Sequence, residues 1–334
     1  MIKGIRELAK HLDLSISTVS KALNGRFDIN AETRARVLKA AADLGYVANQ
    51  SGRALRDGAT HTVGFMITQG LAINGDSFFL EVFEGVQQVL RQHRLDLVVL
   101  PCSSDEPEAE YLARIVTRGM VDAMILSGLK PRDSRIAHLQ TAGIPFVTLG
   151  QSGLEHASVE FDFESVANTS VHHLARAGHR RIAVSLPADN LNLGRLFLAG
   201  YERGLTEAGL SIDPDLVMRT PPTVEGGSGL CGHLLSLPDR PTAVILSNEM
   251  SALGLYPALR AQGLEPGKDL AIIGFRDSAA TRHLRPSLTC FSTSLTDVGR
   301  ELARIILAQT GHLEDEAQEL CRLWPMTMLR GESG

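Results

Sequence analysis

Ile16, Ser17, Thr18, Ser20 and Lys21 are side chains of the types that meet a nucleic-acid duplex. Short hydroxyls reach phosphates and base edges, and a lysine neutralises phosphate charge. Further on, Leu55 stands between Arg53 and Arg56 within the polar run Asn49 to Gly58. An apolar side chain that unstacks a base step, flanked by cations, is what a minor-groove wedge requires. The same run also reads as a linker with an incidental leucine, since it is too short to be helical without a partner. Other chemical patterns are weaker. Gly227-Ser228-Gly229-Leu230-Cys231-Gly232 spells GxGxxG but follows Pro221-Pro222 and not a strand, so it does not read as a dinucleotide loop. His172-His173 and His179 have no cysteine or carboxylate at metal spacing. Cys102, Cys231, Cys290 and Cys321 form no CxxC pair and are expected to be reduced core thiols. With no GxSxG, P-loop or associated nucleophile and base, no enzyme, metal or cofactor is expected.

Charge separates the chain into unlike parts. The 334 residues carry a net −5, yet residues 1–60 hold 10 Lys and Arg against 6 Asp and Glu, and the remainder is net −9. A basic head on an acidic body suggests a nucleic-acid module, although a solvated charged face would give the same count. At 44% apolar and 21% charged residues, the composition is that of a packed globular protein. Lys3, Arg6 and Glu7 occupy the stretch where a signal peptide needs apolar residues, and no apolar run approaches a membrane span, so a cytoplasmic protein is expected.

The elements that would position the hydroxyls follow from periodicity. Ile5, Leu8, Ala9 and Leu12 make a helical stripe that stops at Asp13. Ser17 is the expected N-cap of a second helix, packed through Val19, Ala22 and Leu23 and ended by Asn24-Gly25. Asn30 caps a third helix from Ala31 to Leu44, buried through Val37, Ala40, Ala41 and Leu44 and stopped by Gly45. Three helices in this span make a helix-turn-helix unit or an ordinary helical core segment. From Thr62 onwards, apolar β-rich runs (Val63 to Ile67, Leu95 to Leu100, Val121 to Leu126, Pro145 to Leu149, Ile182 to Leu186, Thr242 to Leu246, Leu270 to Phe275) alternate with amphipathic stretches. Such βα repetition predicts parallel sheets in two lobes, with any ligand at the carboxyl ends of the strands.

The head carries Ser17-Thr18-Val19-Ser20, Leu23-Asn24-Gly25, Leu44-Gly45-Tyr46, Asn49 and Arg53-Ala54-Leu55; the body carries Ser77-Phe78-Phe79, Gly178-His179-Arg180-Arg181-Ile182, Ser247-Asn248-Glu249 and Ile273-Gly274-Phe275. Over essentially its whole length the chain resembles the LacI/GalR transcription regulators. The resemblance implies a three-helix headpiece at 1–46, a hinge at 47–60, and at 61–334 an effector-binding, dimerising α/β domain like the periplasmic binding proteins. Its first lobe would comprise about 61–161 and 291–320, and its second about 162–290 and 321–334.

The resemblance also assigns roles. Ile16, Ser17 and Lys21 match base-reading positions, and Thr18, Ser20, Asn24, Thr33 and Arg34 match backbone contacts; Asn49, Arg53 and Leu55 belong to the hinge. In the effector cleft, Phe78 or Phe79 would stack on an apolar ring face, and Asp162 and Asn248 would bind hydroxyls. Phe197 stands where relatives commonly have arginine, and Arg276 where they often have aspartate. Arg276 is therefore the candidate grip for an anionic group on a sugar acid or phosphorylated sugar; a neutral sugar, or a salt bridge from Arg276 to Glu249 or Asp277, are the alternatives. The implied protein is a homodimeric repressor of carbohydrate genes on near-palindromic double-stranded operator DNA, without membrane attachment. A sugar-binding transport component is the rival reading, which the large domain alone would support.

Overall fold

In the computed structural model, residues 4–23, 26, 28–46, 59–68, 77–188, 190–314 and 321–334 are described. The chain divides into two units, Met1–His61 and Thr62–Gly334.

The small unit holds α1 (Ile5–Leu12), α2 (Ile16–Leu23) and α3 (Ala31–Asp43). Leu8, Ala9, Leu12, Val19, Ala22, Val37 and Ala41 form its core, so the apolar stripe of each helix faces the other two. Asp13 ends α1 in the left-handed region at φ 53°, and Gly45 turns the chain after α3 at φ 64°. Asn30 caps α3 by accepting from the Thr33 amide at 2.7 Å. The cap of α2 differs from expectation. Ser15 accepts from the Thr18 amide at 3.0 Å, two residues before the expected Ser17, which leaves Ser17 exposed inside the helix. Residues 47–58 of the hinge, with Asn49, Arg53 and Leu55, lie outside the described residues, as does Asn24.

The large unit holds two six-stranded sheets. In the first, β1 (Thr62–Thr68), β2 (Asp96–Cys102), β3 (Ala123–Ser127), β4 (Phe146–Leu149), β5 (Ser158–Phe161) and β11 (Cys321–Trp324) run in the order β11-β5-β4-β3-β1-β2, every pairing parallel. In the second, β6 (Ile182–Pro187), β7 (Val217–Thr220), β8 (Ala243–Leu246), β9 (Ala271–Arg276), β10 (Thr289–Ser292) and β12 (Thr327–Leu329) run β12-β10-β9-β8-β6-β7, with β12 antiparallel at the edge. The α/β expectation holds. The boundaries differ at the C-terminus: β11 completes the first sheet, so residues 321–324 belong with the first lobe and not the second. The chain crosses at Asp162, after Ser292, and at Pro325-Met326.

Helices cover the sheets in pairs. α4 (Phe78–Leu90) packs on α11 (Leu295–Gln309), α7 (Phe163–Arg176) on α8 (Asn192–Glu207), and α9 (Val224–Ser236) on α10 (Met250–Ala261). Between β2 and β4, α5 (Glu108–Thr117) and α6 (Ser134–Ala142) cover the other face of the first sheet. The GxGxxG run lies within α9, which does follow a strand, β7, through Pro221-Pro222, contrary to the sequence reading. Its first glycine serves packing: a Cβ at Gly227 would collide with the Ser251 carbonyl of α10, while Gly229 and Gly232 face open space. Cys102, Cys231 and Cys290 are buried free thiols, and Cys321 is half-buried rather than in the core.

Candidate functional site

On the small unit, α2 presents one continuous polar face. Ile16 is 46% exposed, Ser17 and Lys21 are exposed, and Thr18 and Ser20 are half-buried, whereas Val19 and Ala22 point into the core. Helical spacing thus gathers the predicted residues of α2 on the outer side, the arrangement by which a second helix enters a major groove. Lys21 is held by an ion pair to Asp28, and Thr18 shares a hydrogen bond with Ser15 at 2.8 Å. Thr33 is half-buried at the start of α3, and Arg34 beside it donates to the Arg26 carbonyl. The position of Arg34 is consistent with a backbone contact and is set by that local bond.

On the large unit, a cavity of about 180 Å³ lies between the lobes. Its walls come from the N-terminus of α4 (Phe78, Phe79), from the segments after β3 (Ser127 to Leu129) and β4 (Leu149 to Gln151), from Glu160 and Phe161 of β5, and from Ser247 to Met250 after β8. These are strand carboxyl ends, where open α/β sheets bind ligands. Phe78 meets Phe79 edge-on at 5.1 Å and Phe161 at 6.0 Å, and Phe161 meets Phe275 at 6.4 Å, giving an aromatic wall shared by both lobes. Such a wall offers the apolar faces on which a flat or ring-shaped molecule stacks.

Polar groups are few and placed at opposite sides. Asn248 directs its Oδ1 to the Ser251 amide at 2.9 Å as the first turn of α10 begins. Its Nδ2 is buried without a hydrogen-bond partner, and so is the Ser247 hydroxyl beside it. On the first lobe, Glu160 is only 3% exposed, and its Oε2 accepts from the Gln151 amide at 2.7 Å. Burial pushes this carboxyl up to about 7, only partly offset by backbone amides and the charge of Arg195. Glu160 escaped the sequence reading. Its signal was an acidic residue set between Val159 and Phe161.

The remaining predicted residues fall elsewhere. Asp162 caps α7 through the Ser165 amide at 2.9 Å and lines a separate depression with Glu160 and Arg203, outside the aromatic cavity. Phe197, at 0% exposure, belongs to the core beneath α8 and lines neither cavity, which corrects its assignment to the effector site. Its large apolar ring is stabilised by burial where an arginine would need solvent or a counter-charge. Arg276 is 2% exposed and ion-paired to Glu249 at 2.5 Å, with its guanidinium over the Phe78 ring at 5.4 Å. The salt bridge is thus the alternative realised, and Asp277 pairs instead with Arg282 at 2.7 Å. His172 bonds Glu207, and His179 bonds Thr242, each at 2.8 Å, so both act as surface partners.

Comparison with known proteins agrees at both ends of the chain. Residues 4–49 match the family described as bacterial regulatory proteins, lacI family, and residues 171–333 match the periplasmic binding protein-like domain. The HTH-type transcriptional regulator AglR of Rhizobium meliloti (strain 1021) is 32% identical over 314 residues, covering 91% of this chain and 87% of that protein. The HTH-type transcriptional repressor CytR of Escherichia coli (strain K12) is 30% identical over 309 residues, covering 91% and 89%. Among solved structures, a complex of the transcriptional regulator CelR with cellobiose is 26% identical with a TM-score of 0.74, covering 99% of both chains. A transport component would account for the body but not for the head, and the relatives span both. With its outward-facing hydroxyl helix and its two-lobed ligand cleft, the chain belongs to the LacI family of DNA-binding transcriptional regulators, which are not enzymes.

Proposed function

We propose that this chain is a cytoplasmic, homodimeric repressor of carbohydrate uptake or catabolism genes, controlled by a sugar-like effector in the inter-lobe cleft. The observation that carries the effector reading is the cavity itself. An aromatic wall faces buried, unpartnered Ser247 and Asn248 groups, which suits a molecule with apolar ring faces and hydroxyl edges. CelR, whose body has the same architecture, is known in complex with cellobiose. Regulation of chromosomal genes requires access to the chromosome, which supports the cytoplasm. Ile16, Ser17 and Lys21 read bases, Thr18, Ser20, Asn24, Thr33 and Arg34 position the headpiece on phosphates, and Asn49, Arg53 and Leu55 act from a hinge ordered on DNA. Two headpieces related by a two-fold axis require half-sites related likewise, about one helical turn apart.

Selection of duplexes from a random library by the full-length protein, with sedimentation of the free protein, tests this reading. A dimer and an inverted-repeat consensus are expected. A monomer that enriches no sequence would overturn it.

A further inference from the structure

We infer that Glu160 is the specificity-determining acceptor of the cleft, selecting effectors that present a hydrogen-bond donor, a hydroxyl or an ammonium, and that carry no anionic group. The inference deepens the proposed function, since it takes the cavity to be the effector site.

Glu160 lies at the carboxyl end of β5, 3% exposed and lining the aromatic cavity. Its carboxyl accepts from backbone amides, that of Gln151 at 2.7 Å and that of Phe161, and no lysine or arginine of the described residues is ion-paired to it. Arg195 is exposed, binds Asn192 at 3.0 Å and is not among the cavity-lining residues. Arg276, beside the cavity, is committed to Glu249. An effector carboxylate or phosphate would therefore enter a site that already holds the buried Glu160 and offers no uncommitted cation among the described residues, so it is opposed by like charge once Glu160 ionises. A donor group meets the opposite situation. Carboxylate oxygens accept strongly from hydroxyls and more strongly from ammonium groups. Across the cleft, the Asn248 Nδ2 and the Ser247 hydroxyl are buried without partners. A hydroxyl both donates and accepts, so a polyol spanning the cavity satisfies Glu160 on one lobe and Asn248 on the other. A buried polar group left unmatched carries a penalty that such a ligand removes. The upward displacement of the Glu160 carboxyl is caused by burial, which outweighs the backbone amides and the charge of Arg195.

The test is a thermal-shift and calorimetric panel of D-glucose, cellobiose, D-glucosamine, D-glucuronate and glucose 6-phosphate, extended to other neutral, amino and acidic or phosphorylated sugars. Wild type, Glu160→Gln and Glu160→Leu are compared, each checked for a cooperative melt. The strongest stabiliser is expected among neutral or amino sugars, bound at least tenfold more weakly by Glu160→Leu. Glu160→Gln separates the two donors: its amide oxygen still accepts from a hydroxyl and keeps affinity within a few fold, whereas an ammonium loses as much as with leucine. A sugar acid or phosphosugar as best ligand would overturn the inference, as would a neutral or amino ligand that Glu160→Leu binds unchanged. If no sugar of any class stabilises the protein, the sugar-effector reading itself fails and takes this inference with it.

Discussion

A carboxyl held at about 7 instead of its ordinary 4.5 makes Glu160 a site where protonation and folding are linked. The folded state keeps the proton longer than the unfolded chain does. The stability this gives is complete below about pH 4.5, falls as pH rises through the folded value, and is gone above about pH 7. The loss is on the order of 3 kcal/mol across that window. Glu160→Gln has no proton to lose, so its melting temperature is expected to rise relative to wild type between pH 5 and 8. Parallel melting curves for the two proteins over that range would mean that the carboxyl is solvated. Arg276 and Glu249, 2% and 5% exposed, make the opposite kind of pair. Each is tolerated because the other neutralises it. Arg276→Ala strands a buried carboxylate and is expected to cost roughly 3–5 kcal/mol in urea melts, whereas Arg276→Met combined with Glu249→Leu should recover most of that loss. Equal losses for the single and double variants would show that packing, and not charge, dominates there.

Helix pairs, rather than single helices, are the units that hold the lobes in register. Where α9 meets α10, Gly227 faces the Ser251 carbonyl and Gly254 faces the Val224 carbonyl, so both backbones approach too closely for a Cβ. Gly254→Ala must push the helices apart and is expected to cost about 1–3 kcal/mol. Gly229→Ala and Gly232→Ala meet nothing and should stabilise α9 by about 0.5–1 kcal/mol each, through helix propensity. Chemical denaturation of the three variants separates a glycine at a helix–helix contact from glycines that face open space, and equal stabilities would show that the approach of α9 to α10 is not what fixes Gly254. This element also shows what periodicity can and cannot reveal. The βα alternation was legible because strands buried on both faces read as apolar runs. β5, β7, β10, β11 and β12 were missed: each is a strand of three or four residues, too short to show a clear apolar run. Ser15 capped α2 in place of Ser17 because both are good caps, and only the path of the turn decides between them. In the cleft, Asn248 and the Phe78-Phe79 pair were legible from their motif, whereas Glu160 was not, since nothing local says which face of β5 meets the other lobe. Phe197 failed for the converse reason: a position aligned by motif carries a side chain whose burial sends it to the core.

At the scale of the whole molecule, the basic first sixty residues and the acidic remainder make DNA affinity a balance of opposed fields. If the two headpieces together neutralise about 6–10 phosphates, operator affinity should fall by roughly 10³–10⁵ between 50 and 200 mM salt. Effector control adds a second requirement. A ligand in the cleft shifts DNA affinity only as far as it binds the two states of the body unequally, and the coupling is reciprocal: if the effector changes operator affinity by a factor, the operator changes effector affinity by the same factor. Coupling in proteins is typically about 1–3 kcal/mol, or about 5- to 150-fold. The expected result is therefore a closed cycle. Operator dissociation constants measured with and without saturating effector, and effector constants measured with and without operator, should give one ratio. Because ions compete with the headpiece for phosphate and not with the effector for the cleft, that ratio should stay nearly constant while the absolute operator constants fall steeply with salt. A common ratio of one would mean that the stabilising sugar is bound somewhere unconnected to the DNA-binding equilibrium. A ratio that collapsed with salt would place the effector on the headpiece, in competition with DNA, instead of between the lobes.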